Sequence, residues 1–95
     1  MLKDLQVTLP VTIVKQGRRY VAHTPALDIS TAGTSVKDAQ KKFGELVPLF
    51  FEELHEAGTL DDVLMELGWT KAAKKWMPPA VVNASSIGVR VPQFA

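Results

Sequence analysis

Cysteine is absent from this 95-residue chain. No disulfide framework, thiolate metal site or thiol nucleophile is therefore open to it, and the composition suits a reducing compartment. Long hydrophobic runs are missing as well. Nowhere do about 18 uncharged apolar residues follow one another, as a membrane-spanning helix requires. The opening "MLKDLQVTLP" carries Lys3 and Asp4 where an exported protein would carry an apolar stretch. The expectation is a cytoplasmic protein with no membrane partner. Charge of one sign is not in excess either: 11 Lys and Arg against 10 Asp and Glu leave a formal net charge of +1, so the field of the whole molecule does not recruit nucleic acid. A more local absence bears on chemistry. Between Gln6 and Lys15 there is no Asp or Glu, whereas metal-dependent phosphodiester cleavage needs carboxylates converging from several elements. A metal-dependent hydrolase is accordingly the least favoured reading.

What is present reads as one domain over 1–95, a length that supports a single modest core. From Leu5 to Ile13 the apolar side chains occupy odd positions, the period of a half-buried strand, and Pro10 within that run suggests an edge or a bulge. "KQGRR" supplies a glycine turn and "RYVAH" the returning strand of a hairpin. After Pro25, "ALDIS" predicts a third strand, closed by "TAGTS" with Gly33 available for a positive-φ turn.

Ser35 with Asp38 three positions later forms a capping-box pattern and opens a helix. Along it Val36, Ala39, Phe43, Leu46, Val47, Phe50 and Leu54 fall in one stripe, with Lys37, Lys41, Glu45, Glu52 and Glu56 facing away. Pro48 removes the bond to the Gly44 carbonyl and predicts a kink that curls the helix over the sheet, and Leu49 is a large apolar residue off the stripe. Gly58 ends this helix. Thr59 and Asp62 repeat the cap pattern for a short second helix striped by Leu60, Val63, Leu64 and Leu67, which Gly68 terminates. In "WTKAAKKW" the spacing of Trp69, Ala72, Ala73 and Trp76 predicts one or two further helical turns, halted by Pro78 and Pro79. Ile87, Val89 and Val91 alternate again and predict a last strand that rejoins the sheet. The fold class expected is α+β: a three-stranded antiparallel meander, a long helix, a short helix and a returning strand, in the order β-β-β-α-α-β.

Candidate chemistry is sparse. His23, Asp28, Ser30 and Thr31 lie close in sequence, but no nucleophile-elbow pattern or oxyanion donor surrounds them, so a structural pair of His23 and Asp28 is favoured over a catalytic one. His23 and His55 lack a patterned third ligand, and neither metal nor cofactor is expected. The lysines of "WTKAAKKW" are few for a nucleic-acid patch; an amphipathic turn with its indoles over the core is the simpler reading.

The stretch "YVAHTPALDISTAGTSVKDA", followed by "AGTLDDVLMELGW", resembles the HicB-like antitoxin family in the order and spacing of its motifs, over roughly residues 5–69. On that resemblance residues 5–69 are the family core and 70–95 an extension carrying the final strand. The resemblance implies a partial ribonuclease-H-like fold. It also implies a non-enzymatic role, the neutralisation of a small basic RNA-cleaving HicA-like toxin. Family members often repress their own operon through a C-terminal module. "IGVRVP" is faintly similar to a ribbon-helix-helix strand, yet the two helices of such a module do not follow it here, so no direct sequence-specific DNA binding is expected. A basic toxin would suit the acidic side of the long helix, Glu45, Glu52, Glu53 and Glu56, with the sheet face around Tyr20 and Asp28 as the other candidate surface. Val89 and Val91 are the expected contacts of a homo-oligomer. The alternative reading is a self-associating domain of this type without a toxin.

Overall fold

A computed structural model describes residues 7–93 of the chain. Its elements are β1 (Thr12–Gln16), β2 (Arg19–Thr24), β3 (Ile29–Gly33), α1 (Val36–Glu56), α2 (Leu60–Glu66), β4 (Thr70–Ala72) and β5 (Lys75–Met77). The class is α+β as expected, with a three-stranded antiparallel sheet in the order β1-β2-β3, two helices and a separate two-stranded hairpin.

Gln16 opposite Arg19 leaves a two-residue loop in which Gly17 takes φ 62°, the left-handed start that matches the twist of a tight hairpin. The ladder runs over 12–16 rather than up to Ile13. Leu5 lies outside the described residues, and 7–11 form no strand, although Val7 and Leu9 still pack inward while Thr8 is exposed. Alternation here reports burial against the core, not hydrogen bonding to a neighbour. "ALDIS" is likewise displaced. Residues 25–28 are a turn in which Asp28 at φ 52° donates its N–H to the Thr24 carbonyl at 2.9 Å, while the buried Thr24 hydroxyl accepts from Ala26 N at 3.2 Å. Side-chain capture of a backbone donor by Thr24 competes with strand pairing and shifts β3 three residues onward.

Gly33 ends β3 without a positive φ. Its role is close approach: a Cβ there would sit 2.5 Å from the Ala39 backbone nitrogen, so the bare α-carbon lets the sheet meet the first turn of α1. The Ser35 hydroxyl caps α1 by accepting from Asp38 N at 3.0 Å. The Asp38 carboxylate reaches one residue further back than the capping box predicts, accepting from Thr34 N at 2.9 Å. α1 continues unbroken past Pro48, which lies on its exposed side. Of the predicted stripe, Ala39 and Phe43 are buried and Val36 is exposed. Gly58 and Gly68, at φ 72° and 91°, close α1 and α2 in the same way: Thr59 N donates to the Leu54 carbonyl and Trp69 N to the Leu64 carbonyl. Thr59 makes no side-chain cap for α2.

Two clusters form the core. One joins Ala22, Ala39 and Phe43 between sheet and helix; the other joins Ala26, Leu27, Leu64 and Trp69, and Ile29 and Val47 pack against both. Trp69 seals the second cluster, edge-on to Phe51 at 5.9 Å, with its indole N–H donating to the Ala26 carbonyl at 2.7 Å. That bond fixes the chain beyond α2 against the β2–β3 turn. The predicted helical turns over 69–76 are instead the β4–β5 hairpin, with Ala72 opposite Lys75. No strand forms over Ile87–Val91 either. Beyond Met77 the described residues have no regular structure, and the expected return to the sheet does not occur.

Candidate partner-binding site

α1 places its charges in two blocks. Lys37, Lys41 and Lys42 occupy its first half, and Glu45, Glu52, Glu53 and Glu56 its second. Positions 45, 49, 52 and 56 follow one another around the helix at intervals of four, three and four, so they share a face. Leu49, 56 % exposed, sits in the middle of that face with Glu45 one turn before it and Glu52 and Glu53 one turn after. All four glutamates are exposed. Among the described residues no lysine, arginine or histidine nitrogen lies within 4.0 Å of any of them.

This arrangement opposes the electrostatics of an isolated helix. Glu53 and Glu56 stand in the last turn, where the unsatisfied carbonyls favour cations and an anion costs about 0.3–1 kcal/mol. Glu52 with Glu56 is a like-charged i,i+4 pair and Glu53 with Glu56 an i,i+3 pair, each unfavourable by about 0.2–0.5 kcal/mol. Only His55 in that turn has the opposite tendency. The result is a wet acidic face around an exposed leucine, bordered by Lys41 one turn before Glu45, and among the described residues its carboxylates make no ion pair. Chemically it can hold a basic surface and bury one apolar side chain at its centre.

The other candidate surface is not one surface. Register places Tyr20 on the face of Ala22 and Ile13, which α1 covers, and Lys15 Nζ lies 5.8 Å above its ring. His23 lies on the opposite face beside Thr12 and Ser30, and the exposed Asp28 carboxylate reaches it from the turn at 3.2 Å from Nε2. Tyr20 and Asp28 are therefore not brought together. His23 and Asp28 tie the turn to β2; the Ser30 hydroxyl makes no hydrogen bond to either among the described residues. Nor do three His, Asp or Glu side chains converge as a metal site among them. No described helix is long and apolar enough to cross a membrane.

Two open depressions lie elsewhere, one between Pro10, Pro25, Leu67 and Pro79, the other beside Met65, Trp69 and Trp76. Val89 and Val91, expected at an oligomer contact, are each 74 % exposed, in a tail that also exposes Ile87 and Val82. Alternation at 87–91 marks the first of these in the sequence. Nothing marks Val82, because its exposure follows from where the tail runs. Compared with family models, with curated proteins and with solved structures, the chain matches none.

Proposed function

We propose that this protein is a non-catalytic binding protein of the HicB antitoxin type, which neutralises a small basic HicA-like RNA-cleaving toxin by covering its active surface. The observation that carries the reading is the acidic second half of α1, whose carboxylates make no ion pair among the described residues and, at Glu53 and Glu56, are set against the helix's own field. A partner that grips RNA phosphates presents lysines and arginines. Docked on this face, those cations relieve the repulsion among Glu45, Glu52, Glu53 and Glu56, while Leu49 enters an apolar dimple of the partner. The ordered motifs between Tyr20 and Trp69 supply the family resemblance.

The function is tested by expressing the adjacent small gene alone and then together with this protein, with growth and messenger RNA integrity as readouts. Rescue on co-expression is the expected result; a harmless neighbour, or toxicity undiminished by this protein, defeats the reading. The surface is tested separately. Glu45→Lys, Glu52→Lys and Glu56→Lys combined should leave the circular dichroism unchanged, slow association with the toxin by at least tenfold and flatten its dependence on salt. Unaltered association rates would place the interface elsewhere. The exposed apolar tail favours a second reading, a self-associating domain without a toxin.

A further inference from the structure

The segment after Pro79 is anomalous for a folded chain. Val82 is 96 % exposed, Ile87 79 %, and Val89 and Val91 74 % each, and no backbone hydrogen bond is made within the described tail. The exposed Ile87, Val89 and Val91 alternate along the chain as in a strand with one apolar face and no partner for it. The molecule is correspondingly long, 57 × 28 × 22 Å with a radius of gyration of 16.3 Å, against about 12 Å for a compact chain of this length. From Ala80 to Gln93 the tail can span on the order of 45 Å when extended.

The same molecule has two unfilled strand positions among its described residues, at the β1 and β3 edges of the sheet. Four of the five residues of β1 are exposed, but only one of five in β3. α1 packs over β3 and β2, leaving the β1 side of that face open beside the half-buried Ile13. An open edge presents unpaired N–H and C=O groups that accept a further strand.

We infer that residues Ile87–Val91 of one copy add as a strand to the β1 edge of a second copy, reciprocally, giving a closed strand-exchanged dimer. Three observations choose this occupant. The tail joins no strand of its own sheet, while its strand-forming pattern and a free edge lie on one polypeptide, so two copies satisfy each other and close the symmetry. Placing Ile87, Val89 and Val91 on the Ile13 face continues the apolar layer from Ile13 across the side of the sheet that α1 leaves open. It also puts Arg90 on the opposite face from Lys15, so like charges do not meet. Pairing of the two tails with each other would yield only a two-stranded ribbon, a marginal structure in water, whereas edge addition makes a four-stranded sheet with a helix already on it.

The absence of cysteine from the chain makes the test direct. Lys15→Cys, on the same face as Ile13, is combined in turn with Ile87→Cys, Val89→Cys and Val91→Cys in the full chain, and each protein is oxidised and run on a non-reducing gel. Expected is a disulfide-linked dimer as the main product for at least one pair, with each single variant remaining mostly uncrosslinked. In light scattering the unmodified protein should have the mass of two chains. Val89→Pro, which removes a ladder donor from a residue outside the core, should shift the dimer constant at least tenfold toward monomer. Crosslinking of Val89→Cys alone to the same extent shows tail-to-tail pairing and overturns the inference. So does an intrachain disulfide, or a monomer at every concentration.

Discussion

Asp38 carries more of the β3–α1 junction than its position in a capping box suggests. Its carboxylate accepts from Thr34 N, from the Thr34 hydroxyl at 3.3 Å and from Lys42 Nζ at 3.3 Å. The Thr34 N–H bond foremost, then the bond to Lys42, holds its pKa below the ordinary 3.8. A carboxylate whose pKa falls on folding stabilises the native state above its unfolded value, and that contribution is lost as pH drops through the lower folded value. Asp38→Asn should thus be less stable than the parent at neutral pH, with the gap closing as pH falls below 3.8. Denaturant midpoints of the two proteins over that range check it; a constant gap would show that the charge has no part. The cap is readable in Ser35 and Asp38. The switch of Asp38 to Thr34 depends on how closely Gly33 lets the sheet approach the helix.

Among the elements, the β4–β5 hairpin departs furthest from its sequence. Ala and Lys are good helix formers, and the spacing of Trp69, Ala72, Ala73 and Trp76 fits a helix. So short a helix has little stability alone, and Trp69 is already fixed by its indole bond to Ala26 immediately after the Gly68 cap. The chain turns back on itself instead, with Ala73 and Lys74 at φ 50° and 66°. Left-handed backbone costs a residue with a Cβ roughly 1–2 kcal/mol. Lys71, with its ammonium 3.9 Å from Asp61 and 5.5 Å over the Trp76 ring, helps hold the turn against that cost. Replacing Ala73→Asn together with Lys74→Gly supplies the residues this turn favours and should raise stability by about 1 kcal/mol or more. Equilibrium denaturation measures the gain, and a loss would contradict the turn geometry.

At the scale of the whole molecule the two core clusters are coupled through Ile29 and Val47. Phe43, 7 % exposed, belongs to one cluster and Trp69, 3 % exposed, to the other. Phe43→Ala should cost about 3–5 kcal/mol, as for a buried ring removed from a packed interior. The loss should be seen equally by far-ultraviolet circular dichroism and by tryptophan fluorescence, because one cooperative transition carries both clusters. A fluorescence midpoint that stays in place while the helical signal shifts would mean that the clusters unfold separately.

The amino-acid sequence alone determined the α+β class, the hairpin at Gly17, the cap at Ser35, the long amphipathic helix and the glycine stops at Gly58 and Gly68. These are local matters of backbone sterics and side-chain period, settled within a few residues. The acidic face with Leu49 was legible for the same reason, since helical periodicity alone groups its positions. Where β3 begins is local too, since the Thr24 hydroxyl binds the Ala26 N–H two residues on, but the strand period of the sequence hides it; tertiary structure turned 70–77 into a hairpin, because Trp69 is anchored 43 residues away in sequence. It also separated Tyr20 from Asp28. Alternation at 87–91 declared a strand but could not name its partner: a strand is completed by hydrogen bonds to another segment, and which edge lies within reach is a property of the assembled molecule.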